Sequence, residues 1–253
     1  MRPTLRLLDV CYGLGYNSAA AIETIWESNP QCNIELYALE LDNTVAIGAT
    51  TQALLESWTL EVQEILKELA TTQNAKRDYL TAHLWIGDAR STIQTLIAQG
   101  FQADAIFFDP FSPRKCPQLW TVEFFKAVSL CLAPDGILAT YSRSASVRSA
   151  MRSAGFAIGS IPVGPNAAVS EWSQGTVAAH PGMKLPMLSE MECEHLETRA
   201  GVAYRDPSLV GTRDEILAQH EQDQRLEGQG LRSTSSWRRK WGLGNGSSSS
   251  RSS

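Results

Sequence analysis

The segment Asp109-Pro110-Phe111-Ser112-Pro113 combines residue types that suit chemistry on an amino group. It follows the apolar run 105–108, which predicts a buried strand. The Asp109 carboxylate can accept a hydrogen bond from a substrate N–H, the proline stiffens the turn, and Phe111 offers a face on which a flat base can stack. Asp109 and Phe111 are therefore the catalytic candidates. The alternative is that Asp109 only begins a turn and that Phe111 is a core residue.

A glycine-containing turn lies much earlier, in Asp9-Val10-Cys11-Tyr12-Gly13-Leu14-Gly15, between a predicted strand and a predicted helix. Glycines let the backbone turn tightly and come close to a ligand. The dinucleotide fingerprint is incomplete, because Ser18 stands at the position of its third glycine, and this favours an adenosyl ligand over a pyrophosphate. The candidate cofactor-binding residues of this part of the chain are Asp9, Gly13, Gly15 and Asn17.

Acids also end the strands that follow. Glu40 ends the second predicted strand, at a distance from the glycine turn that suits an acid accepting both ribose hydroxyls. Asp88 follows the third strand and can accept a hydrogen bond from an adenine amino group, while Ala89 leaves room for the ring. Asp109 adds a fourth-strand acid to this set. The alternatives are a solvated acid for Glu40 and a helix N-cap for Asp88. In this order, the features indicate a site for S-adenosylmethionine.

The elements that must position these residues alternate between strand and helix patterns. This alternation favours an α/β fold with a mostly parallel sheet and helices on both faces. Such sheets bind ligands at the carboxyl ends of their strands, which is where the motifs fall. Residues 43–82 are predicted to be mostly helical. Seven strands are predicted, at residues 6–10, 34–41, 83–86, 103–108, 137–142, 156–161 and 176–179.

Composition excludes several classes of protein. The 253 residues carry a net charge of -5, and the five basic residues after residue 230 leave -10 on the rest. An acidic body is a poor general binder of nucleic acid, so any RNA contact needs local basic patches. Five cysteines without a CxxC spacing indicate neither a disulfide framework nor a metal site, and they suit a reducing cytoplasm. No apolar stretch is long enough to predict a membrane span.

Several segments resemble the MnmC-type tRNA methyltransferases. They are residues 8–17, 87–90, 109–120, 138–142, 175–178 and 204–207, with a predicted helix at 212–227. Segment 109–120, which runs from Asp109 to Trp120, is the specific part, because a glycine turn alone would match many methyltransferases. The resemblance spans about residues 6–219. It implies a Rossmann-like class I S-adenosylmethionine-dependent methyltransferase, here a stand-alone domain without the family's oxidase domain.

The resemblance also implies a reaction and its partners. The chain would transfer a methyl group from S-adenosylmethionine to the amino group of 5-aminomethyluridine, often 2-thiolated, at the tRNA wobble position. The expected partners are tRNA and, functionally, the enzymes that install the aminomethyl group. As a hypothesis for the reaction, Phe111 or Trp120 would stack the uracil, and the cations near the strand ends would hold phosphates: Arg114, Lys115, Arg143 and Arg148. The alternatives are a core position for Trp120 and solvated surface charge for each of the cations. The candidate substrate-side residues are Lys115, Trp120, Arg143 and Arg148.

Three parts are expected along the chain. Residues 1–182 would form the methyltransferase domain, residues 183–227 an extension that packs on it, and residues 228–253 a disordered basic tail rich in Ser, Gly and Arg.

Two other functions remain open from the residues. One is a methyl- or aminopropyltransferase for a small amine on the same fold, although Arg114 and Lys115 after Asp109 favour an anionic partner. The other is a module that binds the cofactor or RNA but has lost catalysis. The acidic body supports this alternative, and the intact Asp109-Pro110-Phe111 segment argues against it.

Overall fold

An eight-stranded sheet forms the centre of the protein in a computed structural model, which describes residues 4–51, 54–164 and 172–243. The strands are β1 (Thr4–Val10), β2 (Asn33–Glu40), β3 (Asn74–Arg77), β4 (Leu80–Ile86), β5 (Ala103–Phe108), β6 (Leu132–Thr140), β7 (Ala157–Ile161) and β8 (Gly175–Ala179). Their order in the sheet is β3-β4-β2-β1-β5-β6-β8-β7. Only β3 and β8 run antiparallel to their neighbours within the described residues. The predicted mostly parallel α/β sheet is therefore confirmed.

Helices cover both faces of this sheet. One face carries α1 (Tyr16–Ser28), α2 (Asn43–Thr51) and α3 (Leu60–Thr72), and the other carries α4 (Ala89–Ala98), α5 (Val122–Leu130) and α6 (Ala145–Ser153). Two hydrophobic clusters result. Leu7 packs into one cluster and the adjacent Leu8 into the other, because successive side chains of a strand point to opposite faces.

The region between residues 43 and 82 is less uniformly helical than its sequence pattern predicts. It contains two helices and the short strand β3, so the sheet has eight strands rather than the seven expected. Strand β3 lies at the sheet edge, and its residues Asn-Ala-Lys-Arg bury only Ala75. A polar edge strand carries almost no apolar alternation, so its pattern does not distinguish it from the end of a polar helix.

The C-terminal segment, defined here as residues 183–243, folds against the side of the sheet that carries α6. It contains α7 (Glu190–Leu196), α8 (Arg213–Leu226) and α9 (Thr234–Lys240). The buried ion pair between Arg148 of α6 and Glu192 of α7 joins the two parts at 2.8 Å. Within the described residues, none of the helices combines the length and the apolar composition needed to cross a bilayer.

Residues 228–243 are not the disordered tail that their composition predicted. Ser233 caps the N-terminus of α9, and Trp237 on that helix is almost fully buried. The Trp237 ring stacks on His195 with centroids 4.0 Å apart, and its Nε1–H donates to the Met191 carbonyl oxygen at 2.9 Å. One large aromatic side chain thus gives a polar segment enough buried area to dock. Residues 244–253 of the predicted tail lie outside the described residues.

Candidate active site

A cleft of about 560 Å³ opens at the carboxyl ends of β1, β2, β4 and β5. Strand β1 lies between β2 and β5, so the cleft sits where the strand order changes direction, the usual ligand site of such sheets. The predicted site residues that line it are Gly13, Asn17, Glu40, Asp88, Ala89, Asp109 and Phe111. Those that do not line it are Asp9, Gly15, Lys115, Trp120, Arg143 and Arg148.

The glycine turn is held against the end of β2. The backbone N–H groups of Cys11 and Tyr12 both donate to the Leu39 carbonyl oxygen, at 2.9 and 3.0 Å. Gly15 has φ +81°, and a Cβ built on it would lie 2.5 Å from the Tyr12 hydroxyl oxygen. Both the left-handed backbone and the packed Tyr12 ring therefore require glycine at this position. Gly15 shapes the turn, while Gly13 faces the cleft.

Glu40 lies at the floor of the cleft with its carboxylate bonded to the backbone. One oxygen, Oε2, accepts from the Gly13 N–H at 2.8 Å, and Oε1 accepts from the N–H groups of Leu41 and Asp42 at 2.8 and 3.1 Å. A carboxylate has about four acceptor sites, so capacity remains for hydroxyl donors. The geometry makes Glu40 a bridge between the glycine turn and the second strand rather than a solvated strand-end acid.

Asp9 is fully buried beneath the glycine turn. Its Oδ2 accepts from the Ser18 hydroxyl at 2.7 Å, and its Oδ1 has no hydrogen-bond partner among the described residues. Burial is the main cause that raises the pKa of Asp9 to about 7, with smaller contributions from the nearby carboxylates of Asp109 and Glu40. Asp9 thus supports the turn from below. Ser18 is explained as well, because its hydroxyl serves Asp9 where a glycine could not.

Asp88 caps helix α4 and also lines the cleft. Its side chain accepts from the Arg90 backbone N–H at 2.9 Å and pairs with the Arg90 guanidinium at 2.6 Å. These contacts hold the pKa of Asp88 below its usual value although burial opposes them. Arg90 also pairs with Asp206 at 2.9 Å, which links the C-terminal segment to this rim of the cleft. The capping alternative for Asp88 therefore applies alongside its place in the cleft.

Asp109 also lines the cleft, directly after β5. Its backbone N–H donates to the Val10 carbonyl oxygen at 3.1 Å, and its Oδ2 accepts from the Asn17 side-chain amide at 3.3 Å. Partial burial raises the pKa of Asp109, and the Asn17 hydrogen bond opposes that rise. The ring of Phe111 is 75% exposed, so Phe111 is not the core residue of the alternative interpretation. The Lys115 ammonium lies 5.8 Å from its centroid.

Two side chains hold the turn that follows Asp109. The Trp120 Nε1–H donates to the Phe111 carbonyl oxygen at 2.7 Å, and the Tyr141 hydroxyl donates to the Pro110 carbonyl oxygen at 2.8 Å. Trp120 is fully buried, so it is the core residue of the alternative interpretation and does not stack on a substrate base. It instead fixes the backbone beneath the exposed Phe111 ring. Tyr141, which was not among the predicted site residues, performs the equivalent task from the end of β6.

Arg143 and Arg148, both among the residues predicted to hold phosphates, have different environments. Arg148 is buried and donates to Glu192 at 2.8 Å, so it is unavailable to a phosphate and that prediction is wrong. Arg143 is partly exposed; it donates to the Ser173 carbonyl oxygen at 3.2 Å and lies over the Trp172 ring at 4.9 Å. Lys115 is exposed beside Phe111. Lys115 and Arg143 remain candidates for substrate contact.

The apolar walls of the cleft were not predicted. They are formed by Cys11, Tyr16, Leu41, Val45, Cys116 and Leu119, with Gln118 as a polar neighbour. Leu41 is 69% exposed, which marks a wall that a ligand can cover. Burial raises the pKa of Cys116 to about 11 and raises that of Cys11 further, so neither thiol is a nucleophile. The polar motifs beside these residues in the sequence did not indicate that the residues would line the cleft.

The cleft fits an adenosyl ligand. Glu40 would accept the ribose hydroxyls, Asp88 would accept from the adenine amino group, and the walls at Leu41, Val45 and Leu119 would cover the ring. The described residues hold no group of three or more His, Cys, Asp or Glu arranged to bind a metal ion.

Comparison with known proteins indicates an S-adenosylmethionine-dependent methyltransferase. A family profile described as S-adenosyl-L-methionine-dependent methyltransferase matches residues 46–168. The crystal structure of MNMC2 from Aquifex aeolicus superposes with a TM-score of 0.73 at 30% identity, covering 89% of this chain and 69% of that one.

Two curated relatives are longer than this chain. An uncharacterized protein of Methanocaldococcus jannaschii is 28% identical over 227 residues, which are 86% of this chain and 58% of that protein. The tRNA 5-methylaminomethyl-2-thiouridine biosynthesis bifunctional protein MnmC of Polaromonas naphthalenivorans is 35% identical over 82 residues, which are 32% of this chain and 12% of that protein. The aligned part of the chain therefore spans little more than half of the first relative and a small part of the second.

Proposed function

The chain belongs to the MnmC-type, S-adenosylmethionine-dependent methyltransferases of class I Rossmann-like fold, and on this basis we propose that it methylates the amino group of 5-aminomethyluridine, with or without a 2-thio group, at the tRNA wobble position. The substrate would be tRNA whose aminomethyl group has already been installed by other enzymes. The observation that carries the proposal is the pairing of Asp109, in the cofactor cleft, with the exposed ring of Phe111 beside it.

Asp109 is suited to receive an amine. Its carboxylate lines the cleft, is oriented by Asn17, and has a raised pKa. A primary amine is largely an ammonium at neutral pH and must lose a proton before its nitrogen can act as a nucleophile. Asp109 would accept that proton and pass it to water, while it holds the lone pair toward the cleft. When bound, S-adenosylmethionine supplies a methyl group on a sulfonium, and the electron pair of the broken carbon–sulfur bond stays with sulfur in a neutral thioether.

The base would lie on the Phe111 ring. This ring is exposed, and its backbone is anchored by the hydrogen bonds that Trp120 and Tyr141 make to the turn. A preorganised aromatic face suits a pyrimidine drawn out of an anticodon loop, because unstacked RNA bases commonly stack on such side chains. Lys115 above the ring would add a cation near the nucleotide. Most of the rate would come from alignment of nitrogen and methyl carbon in this setting.

The direct test replaces Asp109. With tRNA that carries the unmethylated amine, Asp109→Asn and Asp109→Ala should reduce the methylation rate about 10³-fold, the usual contribution of a positioned base. Cofactor affinity, measured by titration calorimetry, should remain close to that of the wild type for Asp109→Asn. Asp78→Asn, which removes an exposed carboxylate from the turn between β3 and β4, is the matched control and should leave both quantities unchanged.

Three results would count against the proposal. Wild-type rates in both Asp109 variants would remove Asp109 from the reaction. Turnover of polyamines but not of tRNA by the wild-type protein would assign it to the small-amine transferases. Cofactor binding without methylation of either substrate would indicate a module without catalysis.

A further inference from the structure

A second cleft, of about 470 Å³, lies beyond the loop that carries Asp109. It is formed where this loop meets the start of α6, the residues before α8, and α8 itself. The lining residues that matter here are Arg114, Ser144, Ser146, Tyr204, Arg213 and Glu221. None of them lines the cofactor cleft.

Tyr204 brings a phenol group to this cleft from a buried position. The residue is only 6% exposed, and its ring stacks on His220 with centroids 3.8 Å apart. Its backbone is fixed as well, since the Val122 N–H donates to the Tyr204 carbonyl oxygen at 3.1 Å. Yet among the described residues the hydroxyl makes no hydrogen bond. Because Tyr204 lines the cleft, this hydroxyl is free to donate a hydrogen bond to a bound group.

Two arginines, Arg114 and Arg213, line the same cleft as that hydroxyl. The guanidinium of Arg114 forms no ion pair within the described residues, and its charge opposes the rise that burial causes in the pKa of Tyr204. Arg213 reaches the same loop, because its Nε and Nη2 both donate to the Arg114 carbonyl oxygen, at 3.2 and 3.1 Å. Two carboxylates lie nearby. Asp214 pairs with Arg213 at 2.9 Å, and Glu221 lies 3.7 Å from Arg225.

The first turn of α6 adds neutral donors. Ser144 is the N-cap residue, but its side chain does not cap the helix and lies 2.9 Å from the Ser146 hydroxyl instead. Ser146 is itself almost fully buried. One of these hydroxyls donates to the other, so one hydroxyl and the uncapped N–H groups of this turn remain as donors suited to an anion. The helix dipole favours negative charge at the same end.

We propose that this cleft binds a phosphodiester group of the RNA substrate through Arg114, Arg213 and the Tyr204 hydroxyl. The inference rests on the proposed function for the identity of the RNA. Arg114 follows Asp109 by five residues, a chain length that spans at most about 17 Å. The phosphate therefore belongs to a nucleotide near the methylated base, and its contact sets the register of the RNA on the protein.

Binding of fluorescently labelled tRNA, measured over a range of potassium chloride concentrations, tests the cleft. Arg114→Gln and Arg213→Gln should each weaken affinity about tenfold to hundredfold, as expected for loss of one charge-assisted hydrogen bond. Each should also reduce the slope of log affinity against log salt by about one. Tyr204→Phe keeps the stacked ring and should weaken affinity while leaving the slope unchanged, because a hydroxyl releases no counterion.

Arg152→Gln is the control. It removes one exposed cation from the opposite end of α6 and should bind tRNA as the wild type does. The inference is overturned if the cleft variants match this control, or if the wild-type protein shows no salt-dependent tRNA binding. It is also overturned if Tyr204→Phe loses thermal stabilisation by inorganic phosphate yet binds tRNA normally, which would assign the cleft to a free anion. If the wild-type protein binds tRNA in this salt-dependent way but does not methylate it, the result would instead contradict the proposed function alone.

Discussion

The cofactor cleft and the C-terminal segment use polar groups in opposite ways. Where the C-terminal segment docks, the buried guanidinium of Arg148 has every nitrogen engaged: it donates to Thr176, Glu192 and the Gly175 carbonyl oxygen at 2.8, 2.8 and 3.1 Å. In the cleft region, Asp9 keeps one buried oxygen without a partner among the described residues, and Asp109 has a single side-chain hydrogen bond there.

This difference distinguishes a polar network that stabilises the fold from polar groups that are available to a ligand. A saturated buried network stabilises one arrangement only when all of its members are present. An incomplete set of polar groups costs stability, and where such a group lines the cleft, as Asp109 does, a ligand can complete it. The same contrast distinguishes the two arginine environments, because Arg148 is fully paired whereas Arg114 lies in a cleft without an ion pair to any described residue.

The largest effect is expected from breaking the saturated network. Arg148→Met would leave the Glu192 carboxylate buried without its cation and should reduce the free energy of unfolding by about 3–5 kcal/mol. Urea denaturation measures this change. Arg152→Met, on the exposed side of the same helix, should change stability by less than about 0.5 kcal/mol. Equal effects of the two variants would show that the ion pair does not secure the C-terminal segment.

The next effect concerns the glycine turn. Gly15→Ala places a non-glycine residue in the left-handed region and adds a Cβ that overlaps the Tyr12 side chain. Together these effects should lower the free energy of unfolding by about 3 kcal/mol, and cofactor affinity should fall. Gly155→Ala is the matched control, since Gly155 has φ +99° but no atom within 4 Å of the place that a Cβ would occupy. It should show the backbone cost without any change in cofactor affinity by calorimetry.

A smaller effect, dependent on pH, is expected from Asp9. Its pKa is raised to about 7 in the folded protein from 3.8, so between these values the folded state holds a proton that the unfolded state has lost. Stability from this group is therefore lost as pH rises. In the cofactor-free protein, the free energy of unfolding of Asp9→Asn, relative to that of the wild type, should therefore increase by about 2 kcal/mol as pH rises from 5.5 to 8. Urea denaturation at both pH values measures it, and a constant difference would refute the raised pKa.

The smallest effect should come from Tyr141. Tyr141→Phe removes one hydrogen bond to the turn after Asp109, worth about 1 kcal/mol, and should lower kcat several-fold with unchanged cofactor affinity. Tyr79→Phe, in the turn between β3 and β4, makes the same chemical change away from the cleft and should have no effect on kcat. A lowered cofactor affinity in Tyr141→Phe would mean that the residue shapes the cleft rather than the turn.

Much of the lining of the candidate site could be predicted because its motifs are local. Gly13, Glu40, Asp88 and Asp109 each follow a strand whose apolar run is visible in the sequence, and parallel strands bring their carboxyl ends to one edge. The apolar walls could not be predicted in this way. Leu41 and Leu119 are ordinary hydrophobic residues in sequence, and only their position beside the acids makes them part of a site.

The sequence by itself determined the layered α/β architecture and the set of acids at the strand ends, because both follow from short-range periodicity. Tertiary structure alone decided which long polar and aromatic side chains are buried and what they contact. Arg148 became buried because Thr176 and Glu192, 28 and 44 residues away, supply its partners. Trp120 lies in the core, and Tyr204 lines the same cleft as Arg114, although the two residues are far apart in the sequence. Whether such a side chain packs, pairs or binds depends on neighbours that only folding brings together.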